Sequence, residues 1–501
     1  MTTTTTPERP EAPRLAREMG LLGLTATGVC SMVGAGINVI PFMIQRNVPG
    51  IGGDVLAAFA FAAVPAMLAG LAYAVLASAM PRAGGSYVYA SRALDPYLGF
   101  VASFSQWFAL CVAIGVVSYV LVPFLRDIAI AVEWTGVAAA LDSGPVRVAV
   151  SLAVLWAAVG LNLLGVTAYE RLIVPLMFLT FALGVVVIVA GFSFDHGDFT
   201  AAVLARDGHV VPAEGLESGR FGTFLSAAAL LFASFIGFDS IAQAGGEARN
   251  PGRNLPLAIG IAVVSVGLFY MLFTAAVYHA VPWQYIAEQA QRRDLTAPGL
   301  LGYLLSPFWT VVIVSAAAVA LIKDLPAMLL AVSRLMFAWA ADGIFPAAVA
   351  AVHPVRRTPH VAILASGAMA TAGILGSHFA GDFFLGVDIL VTAMLVNFIL
   401  MAASVLALPG RNPGLAAAVT VVPDRRVQAP LAALGVVVLA GFLVIHTIKD
   451  LSAPAAAWYF RSTPVWALVL ALGSIVYWRE VRGLRRAGVD LDARFAALPP
   501  E

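Results

Sequence analysis

Four ionisable side chains stand inside stretches that are otherwise apolar: Asp239, the adjacent pair Lys323 and Asp324, and Asp388. A charge at the centre of a membrane-crossing helix costs about 2.5–3.5 kcal/mol on insertion scales, so each of these groups asks for a role. The roles open to them are carrying a proton, meeting a charged ligand, or pairing with one another. Lys323 and Lys449 are the only lysines in the chain, and Lys323 is flanked by Leu321, Ile322 and Leu325. Burial and a neighbouring carboxylate act on an ammonium in opposite senses, so Lys323 can titrate. Neighbours on a helix point about 100° apart, which does not favour a direct pair between Lys323 and Asp324. A structural ion pair with Asp324 or another acid nevertheless remains open beside the coupling role. Asp239 is read either as a group next to a ligand or gate, or as a cap on a restarting half-helix. Asp388 either lines an outer vestibule or sits at the membrane interface.

Two further features could expose backbone chemistry. Val33-Gly34-Ala35-Gly36-Ile37-Asn38 puts two glycines in the middle of one apolar run, with Pro41 following. Ser234-Phe235-Ile236-Gly237-Phe238-Asp239 puts a glycine in the middle of another. Glycine weakens a helix, and the backbone groups it frees must be buried in protein or line a cavity. Close helix packing by small residues is the competing explanation for the first run taken alone. A second break, about two hundred residues later, is the spacing of two five-helix halves that each open on a broken helix. Half-helix N-termini then face an anionic ligand group, and freed carbonyls face a cation.

The elements that hold these residues are membrane helices. Hydrophobic residues make up 61% of the 501 and charged residues 11%, against about 45–50% and about 25% in soluble domains. A soluble chain of this length needs a polar surface that this composition cannot supply. The net charge of +1 leaves no basic surface for nucleic acid. Cys30 and Cys111 both lie in apolar runs and read as buried thiols; two cysteines cannot make a four-ligand zinc site. The expected fold is an all-α polytopic membrane protein of about twelve helices, near 21–46, 54–80, 96–126, 146–165, 168–192, 221–247, 255–281, 307–340, 360–378, 384–408, 429–448 and 463–480. With both termini inside, arginine and lysine favour the cytoplasmic segments by about two to one. The domain reading is a cytoplasmic tail 1–20, a first five-helix repeat 21–192, an extracytoplasmic loop 193–220, a second repeat 221–408, helices eleven and twelve within 409–480, and a cytoplasmic tail 481–501. The tail after Trp478 carries Arg479, Arg482, Arg485 and Arg486 and reads as a stop-transfer segment near anionic lipid. Trp283, Tyr285, Trp458 and Tyr459 read as interfacial belt, and His446 as a polar contact near a span end.

Four stretches in order carry a resemblance. They are Gly34-Ala35-Gly36-Ile37; Pro81-Arg82-Ala83-Gly84-Gly85-Ser86-Tyr87-Val88-Tyr89; Phe235-Ile236-Gly237-Phe238-Asp239 with Glu247-Ala248-Arg249-Asn250-Pro251 and Asn254-Leu255-Pro256; and Ser333-Arg334 through Asp342-Gly343-Ile344-Phe345-Pro346 to His353-Pro354 and Arg357-Thr358-Pro359. With these the chain resembles the amino acid–polyamine–organocation (APC) superfamily of secondary transporters, which share the five-plus-five inverted repeat of the leucine-transporter (LeuT-like) fold. The resemblance implies a substrate carboxylate at the N–H groups of Ala35, Gly36 and Ile37. It implies an α-ammonium at carbonyls around Ser31, Phe235 and Ile236, with Gly34 and Gly237 as the breaks themselves. The Asp239 position holds a glutamate tied to proton sensing and gating in the related arginine–agmatine exchangers. Their aromatic gate falls near Ala233, so Phe232 or Phe235 is the substitute expected here. Sodium-coupled relatives hold an ion between spans one and eight, and some proton-coupled relatives place a span-five lysine there. Span five reads Met177-Phe178-Leu179-Thr180, without lysine, so Lys323 is expected to fill that cation site from span eight. Ion pairs among Glu247, Arg249 and Arg253 are a possible inner gate.

The function expected from this is secondary transport of a neutral or zwitterionic amino acid across the cytoplasmic membrane by alternating access, coupled to protons, as in a symporter. An amino acid, amine or polyamine exchanger is the alternative. A channel or sensor of the same fold is the alternative from another class, but the charges are too sparse for a continuous polar pore. No catalytic constellation, HExxH or nucleotide-binding P-loop occurs, so the protein is read as neither an enzyme nor ATP-driven. No cofactor is expected beyond a proton or an exchanged substrate. The partners are a small-molecule substrate and the lipid bilayer, with oligomeric state unspecified.

Overall fold

The computed structural model describes residues 15–212, 220–380, 383–453 and 457–499, with Ala35, Ala380, Phe383 and Phe384 described in the backbone alone. Arg9 and Arg14 of the expected N-terminal tail lie outside the described residues. Among the described residues, twelve helices are long and apolar enough to cross a membrane: span 1 Leu21–Asn47, span 2 Gly52–Ala79, span 3 Pro96–Ala131, span 4 Gly144–Leu164, span 5 Val166–Ser193, span 6 Phe221–Gln243, span 7 Pro251–Ala280, span 8 Pro307–Ala341, span 9 His360–Phe379, span 10 Leu385–Arg411, span 11 Arg425–Ser452 and span 12 Ser462–Arg486. Each agrees with a hydropathy-based expectation to within a few residues. In lipid every backbone group needs an internal partner, and a helix is the way a single segment meets that demand.

The spans are not equivalent. In the most apolar window of span 1, 94% of residues are buried inside the protein, whereas the corresponding share is 28% in spans 4, 5 and 11 and 22% in span 12. Span 1 is therefore an interior element and spans 4, 5, 11 and 12 face lipid. Spans 3 and 8 form the central pair, and spans 2 and 7 pack together in the same way. Span 1 packs on spans 5, 7 and 8, and the first half of span 6 packs on spans 2 and 11. Span 10 bridges spans 3 and 11.

The connections carry more structure than expected. The segment 193–220, read as a plain loop, contains a helix, His196–Asp207, closed at its N-terminus by a reciprocal capping box between Asp195 and Asp198. Tyr285, read as a belt residue, is instead buried on the short helix Trp283–Ala290, with its ring 4.9 Å from Phe199 of that loop helix. Trp458 and Tyr459 are exposed. The helix Gly85–Ala93 follows span 2, and the chain beyond span 12 folds into the helix Leu491–Ala496. No extended strand occurs among the described residues, but two isolated backbone bridges do, joining Met19 to Ala248 and Ala83 to Ala244.

Candidate functional site: a cavity between two broken helices

Span 1 is interrupted where the glycines fall. Its first half ends at Met32, Val33 and Gly34 leave helical geometry, and the second half runs Ala35–Asn47. A helix that stops in an apolar interior leaves carbonyls that need donors. Here the donors to four carbonyls at the break can be named. Val29 O accepts the Val33 N–H, and Met32 O accepts the Gly34 N–H. Met32 O also accepts the Tyr270 hydroxyl at 2.5 Å. The carbonyls of Cys30 and Val33 accept from the Lys323 ammonium, at 3.3 and 2.5 Å. Lys323 is fully buried, and no ion pair joins it to Asp324 among the described residues. Its charge is held instead by the carbonyls that the break releases.

Span 6 breaks in the matching way. An α-helix to Leu231 tightens into a 3₁₀ turn over Phe232–Phe235, Ile236 is extended, and helix resumes at Ser240. Gly237 has φ +135°, a region that side chains rarely adopt. A Cβ there would also lie 2.5 Å from the carbonyl carbon of Ser31. Glycine is thus required twice over, for its dihedral and for the contact that brings the two breaks together. The Ser31 and Ser240 hydroxyls meet at 2.9 Å across that contact.

A small cavity of about 60 Å³ lies between the breaks. Its walls come from both breaks and from spans 3, 8 and 10, including Ser31, Gly36, Ile236, Asp324, Val116 and Leu390. Apart from Asp324 and Ser31 the lining side chains among the described residues are apolar. Asp324 is buried, and its Oδ1 has no hydrogen-bond partner among the described residues. Its other oxygen lies against Gly34, where a Cβ would collide with it. A much larger groove, about 890 Å³, opens between spans 2 and 7 beside the exposed Met67, Leu257 and Val264. It lies on the lipid-facing side, away from both breaks, and has no part in this site.

Of the residues singled out in the sequence, Ser31, Gly36, Ile236 and Asp324 line the cavity. Gly34 touches Asp324, Gly237 touches Ser31, and Ala35 opens the second half-helix. Ile37 lies instead against a separate space of about 20 Å³ with Val33 and Phe269. Phe232 and Phe235, proposed as substitutes for an aromatic gate, both point elsewhere. Phe232 packs edge-on to Phe398 and Phe442, and Phe235 packs on Phe59 and Tyr270. Ala233 lines the cavity, and among the described residues no aromatic side chain is in its walls.

Asp239 also lies outside the cavity lining. Its Oδ1 accepts the Gly237 N–H at 3.0 Å, and its Oδ2 accepts from Gln106 of span 3. It makes no side-chain cap on the helix Ser240–Gln243. Gln106 Oε1 in turn accepts from Ser86 at 2.6 Å and from Gln243 at 3.1 Å. Ser86 and Tyr73 hydroxyls share a 2.6 Å bond, and Asn397 donates to Tyr73 at 2.6 Å. All six side chains are fully buried. This chain of partners was missed, although Gln106 in an apolar run carried the signal: a buried amide needs partners.

Beyond this network the end of the bundle that carries the span 6–7 connection is closed by two buried ion pairs. Arg334 of span 8 holds Glu247 through two hydrogen bonds of 3.0 and 2.6 Å, with both side chains 1% exposed. Arg92 holds Asp342 at 2.5 Å. Among the gate residues named from sequence, Glu247 is in a pair, and its partner is Arg334 rather than Arg249 or Arg253. The C-terminal segment lies over the second pair. Arg92 Nε donates to Ala497 O at 3.1 Å, and Arg494 donates to Ala341 O at 3.2 Å. Asp388 faces His446, whose Nε2 is 3.2 Å from the Asp388 carbonyl, and lines no part of the cavity. Cys30 and Cys111 are free and buried. No cluster of metal-ligating side chains occurs among the described residues.

Twelve apolar helices around a cavity framed by two interrupted spans define a polytopic, all-helical membrane protein. The family model for amino acid permeases matches residues 19–472, and the chain belongs to that family, within the APC superfamily. It is 27% identical over 418 residues to the branched-chain amino acid permease BcaP of Bacillus subtilis, covering 80% of this chain and 83% of that one. It is 25% identical over 352 residues to the low-affinity putrescine importer PlaP of Escherichia coli, covering 69% and 70%. Cationic amino acid transporter 4 of Homo sapiens is 27% identical over 381 residues, covering 70% of this chain and 54% of that longer one. The relatives are amino acid and polyamine permeases, and the chain is a transporter of that amino acid or amine class.

Proposed function

We propose that the protein is a proton-coupled secondary transporter that moves a neutral, aliphatic amino acid across the cytoplasmic membrane by alternating access, with both termini on the cytoplasmic side. The observation that carries the coupling is the Lys323 ammonium seated on the Cys30 and Val33 carbonyls. A fixed ammonium there does the electrostatic work of a bound cation, and it can lose its charge to a proton acceptor without any ion entering. Because the ammonium holds carbonyls at the end of the first half-helix, its charge is linked to the helix that must move. The packing supports a five-plus-five arrangement, because partners recur with an offset of five: span 1 on span 7 matches span 6 on span 2, and span 3 on span 10 matches span 8 on span 5.

The aliphatic preference rests on the cavity walls, which among the described residues offer apolar surface to a side chain and one carboxyl group, Asp324, to an ammonium. The resemblance to BcaP points the same way. A polyamine carries two or more ammonium groups, and among the described residues the cavity offers one acid, which disfavours a polyamine as the substrate. The test is uptake of radiolabelled amino acids and amines into proteoliposomes, each with and without an inward proton gradient. One neutral amino acid stimulated by the gradient is the expected result. Uptake only into vesicles preloaded with substrate would replace symport by exchange. No uptake of any compound would overturn the reading.

A further inference from the structure

We infer that the Asp324 carboxylate receives the ammonium group of the substrate, so that the amine is obligatory for binding. The inference rests on the transporter reading above and adds the residue that selects the substrate class.

A buried carboxylate is costly unless it is paired and hydrogen-bonded. Asp324 is 3% exposed, and its Oδ1 has no partner among the described residues. The obvious counter-charge is the next residue, yet Lys323 spends its ammonium on the Cys30 and Val33 carbonyls. The helix turn between the two residues sends them to different neighbours: Lys323 to the end of the first half-helix, Asp324 into the cavity. Among the described residues no other acidic or basic side chain lines that cavity. The Asp324 carboxyl group is therefore an unsatisfied acceptor facing a space where a ligand can complete its hydrogen bonds. An ammonium placed there has the Ser31 hydroxyl and the opened backbone at Ile236 within the same lining. Gly34 allows this placement, since any side chain at that position would displace the carboxylate. The apolar remainder, with Val116, Val117, Met328 and Leu390, suits a short aliphatic chain attached to the amine.

The test uses valine and two analogues that each lack one charged group: isobutylamine, without the carboxylate, and isovalerate, without the amine. Purified wild-type protein in proteoliposomes takes up radiolabelled valine, excess isobutylamine inhibits that uptake, and isovalerate does not. Asp324→Asn raises the KM for valine by about thirtyfold or more, the usual consequence of truncating one partner of a buried charge pair, and abolishes inhibition by isobutylamine. Inhibition of the wild type by isovalerate but not by isobutylamine overturns the inference without any variant, so a misfolded Asp324→Asn does not protect it. Wild-type valine KM in Asp324→Asn, with loss only of stimulation by the proton gradient, also overturns it and makes Asp324 a proton carrier instead. A wild type that takes up no amino acid or amine overturns the transporter reading itself, and this inference with it.

Discussion

Glu247 and Arg334 offer the most direct way to measure what holds one end of the bundle shut. Both side chains are 1% exposed and share two hydrogen bonds. Removing one partner of such a pair strands the other charge in an apolar interior and costs about 3–5 kcal/mol. Glu247→Gln keeps the shape and one acceptor, so the lower end applies. The cost falls on the closed arrangement alone, because Arg334 regains water when spans 6 and 8 separate. About 3 kcal/mol corresponds to a shift of about a hundredfold towards the open arrangement. Three backbone bonds tie the end of span 6 to its other neighbours and open when that end moves away from span 8: Met19 N–H to Glu247 O, Arg249 N–H to Met19 O, and Gly84 N–H to Gln243 O. Hydrogen exchange at Met19, Gly84 and Arg249 is expected to accelerate about a hundredfold in Glu247→Gln, since exchange follows the free energy of local opening. Arg334→Gln gives a similar acceleration. The double variant gives less than the sum of the two, because no stranded charge remains. Asp294→Asn, which breaks the exposed pair with Arg46, is the control and changes stability by less than about 1 kcal/mol. Unchanged exchange at those three amides in Glu247→Gln would refute the argument that this buried pair holds the ends of spans 6 and 8 together.

Other substitutions test other parts of the structure. Lys323→Met strands the Cys30 and Val33 carbonyls and is expected to abolish the pH dependence of uptake; a proteoliposome pH series that matches the wild type would refute the coupling role. Gly237→Ala places a side chain at φ +135° against the Ser31 backbone and is expected to lose most monodisperse protein on detergent size exclusion, while Gly136→Ala, with nothing within 4 Å of the added methyl, retains it. Outside the membrane, the Asp198 and Gly197 N–H groups hold the Asp195 carboxyl below its ordinary value of 3.8. A depressed carboxylate pKa contributes stability that is present above that ordinary value and lost as pH falls through the folded value. Exchange protection at the start of the helix His196–Asp207 is therefore expected to persist at neutral pH and to fade only under strong acid, and Asp195→Ala removes it at every pH.

Hydropathy alone located all twelve spans, because burial of about twenty apolar residues in lipid is decided locally, helix by helix. The two breaks were equally legible, since glycine acts on the backbone whatever surrounds it. Side-chain direction was not legible. Phe232 and Phe235 lie within two residues of cavity-lining positions, yet both turn into aromatic packing, because a tight 3₁₀ turn and an extended residue replace the α-helical register there. Asp239 was visible as a buried acid, but its partner Gln106 lies 133 positions earlier, and nothing local to either residue encodes the pairing. The same holds for Glu247 with Arg334, where sequence proximity suggested Arg249 and Arg253.

What the sequence determined by itself is the membrane class, the number of spans and the two places where helices must open; these follow from transfer free energies and backbone preferences that each segment carries with it. What tertiary structure decided is which way Lys323 and Asp324 face. Adjacent on one helix, they are sent apart by what the neighbouring span presents, freed carbonyls to one and a cavity to the other, and only the packing of span 8 against the break in span 1 could assign those two surroundings.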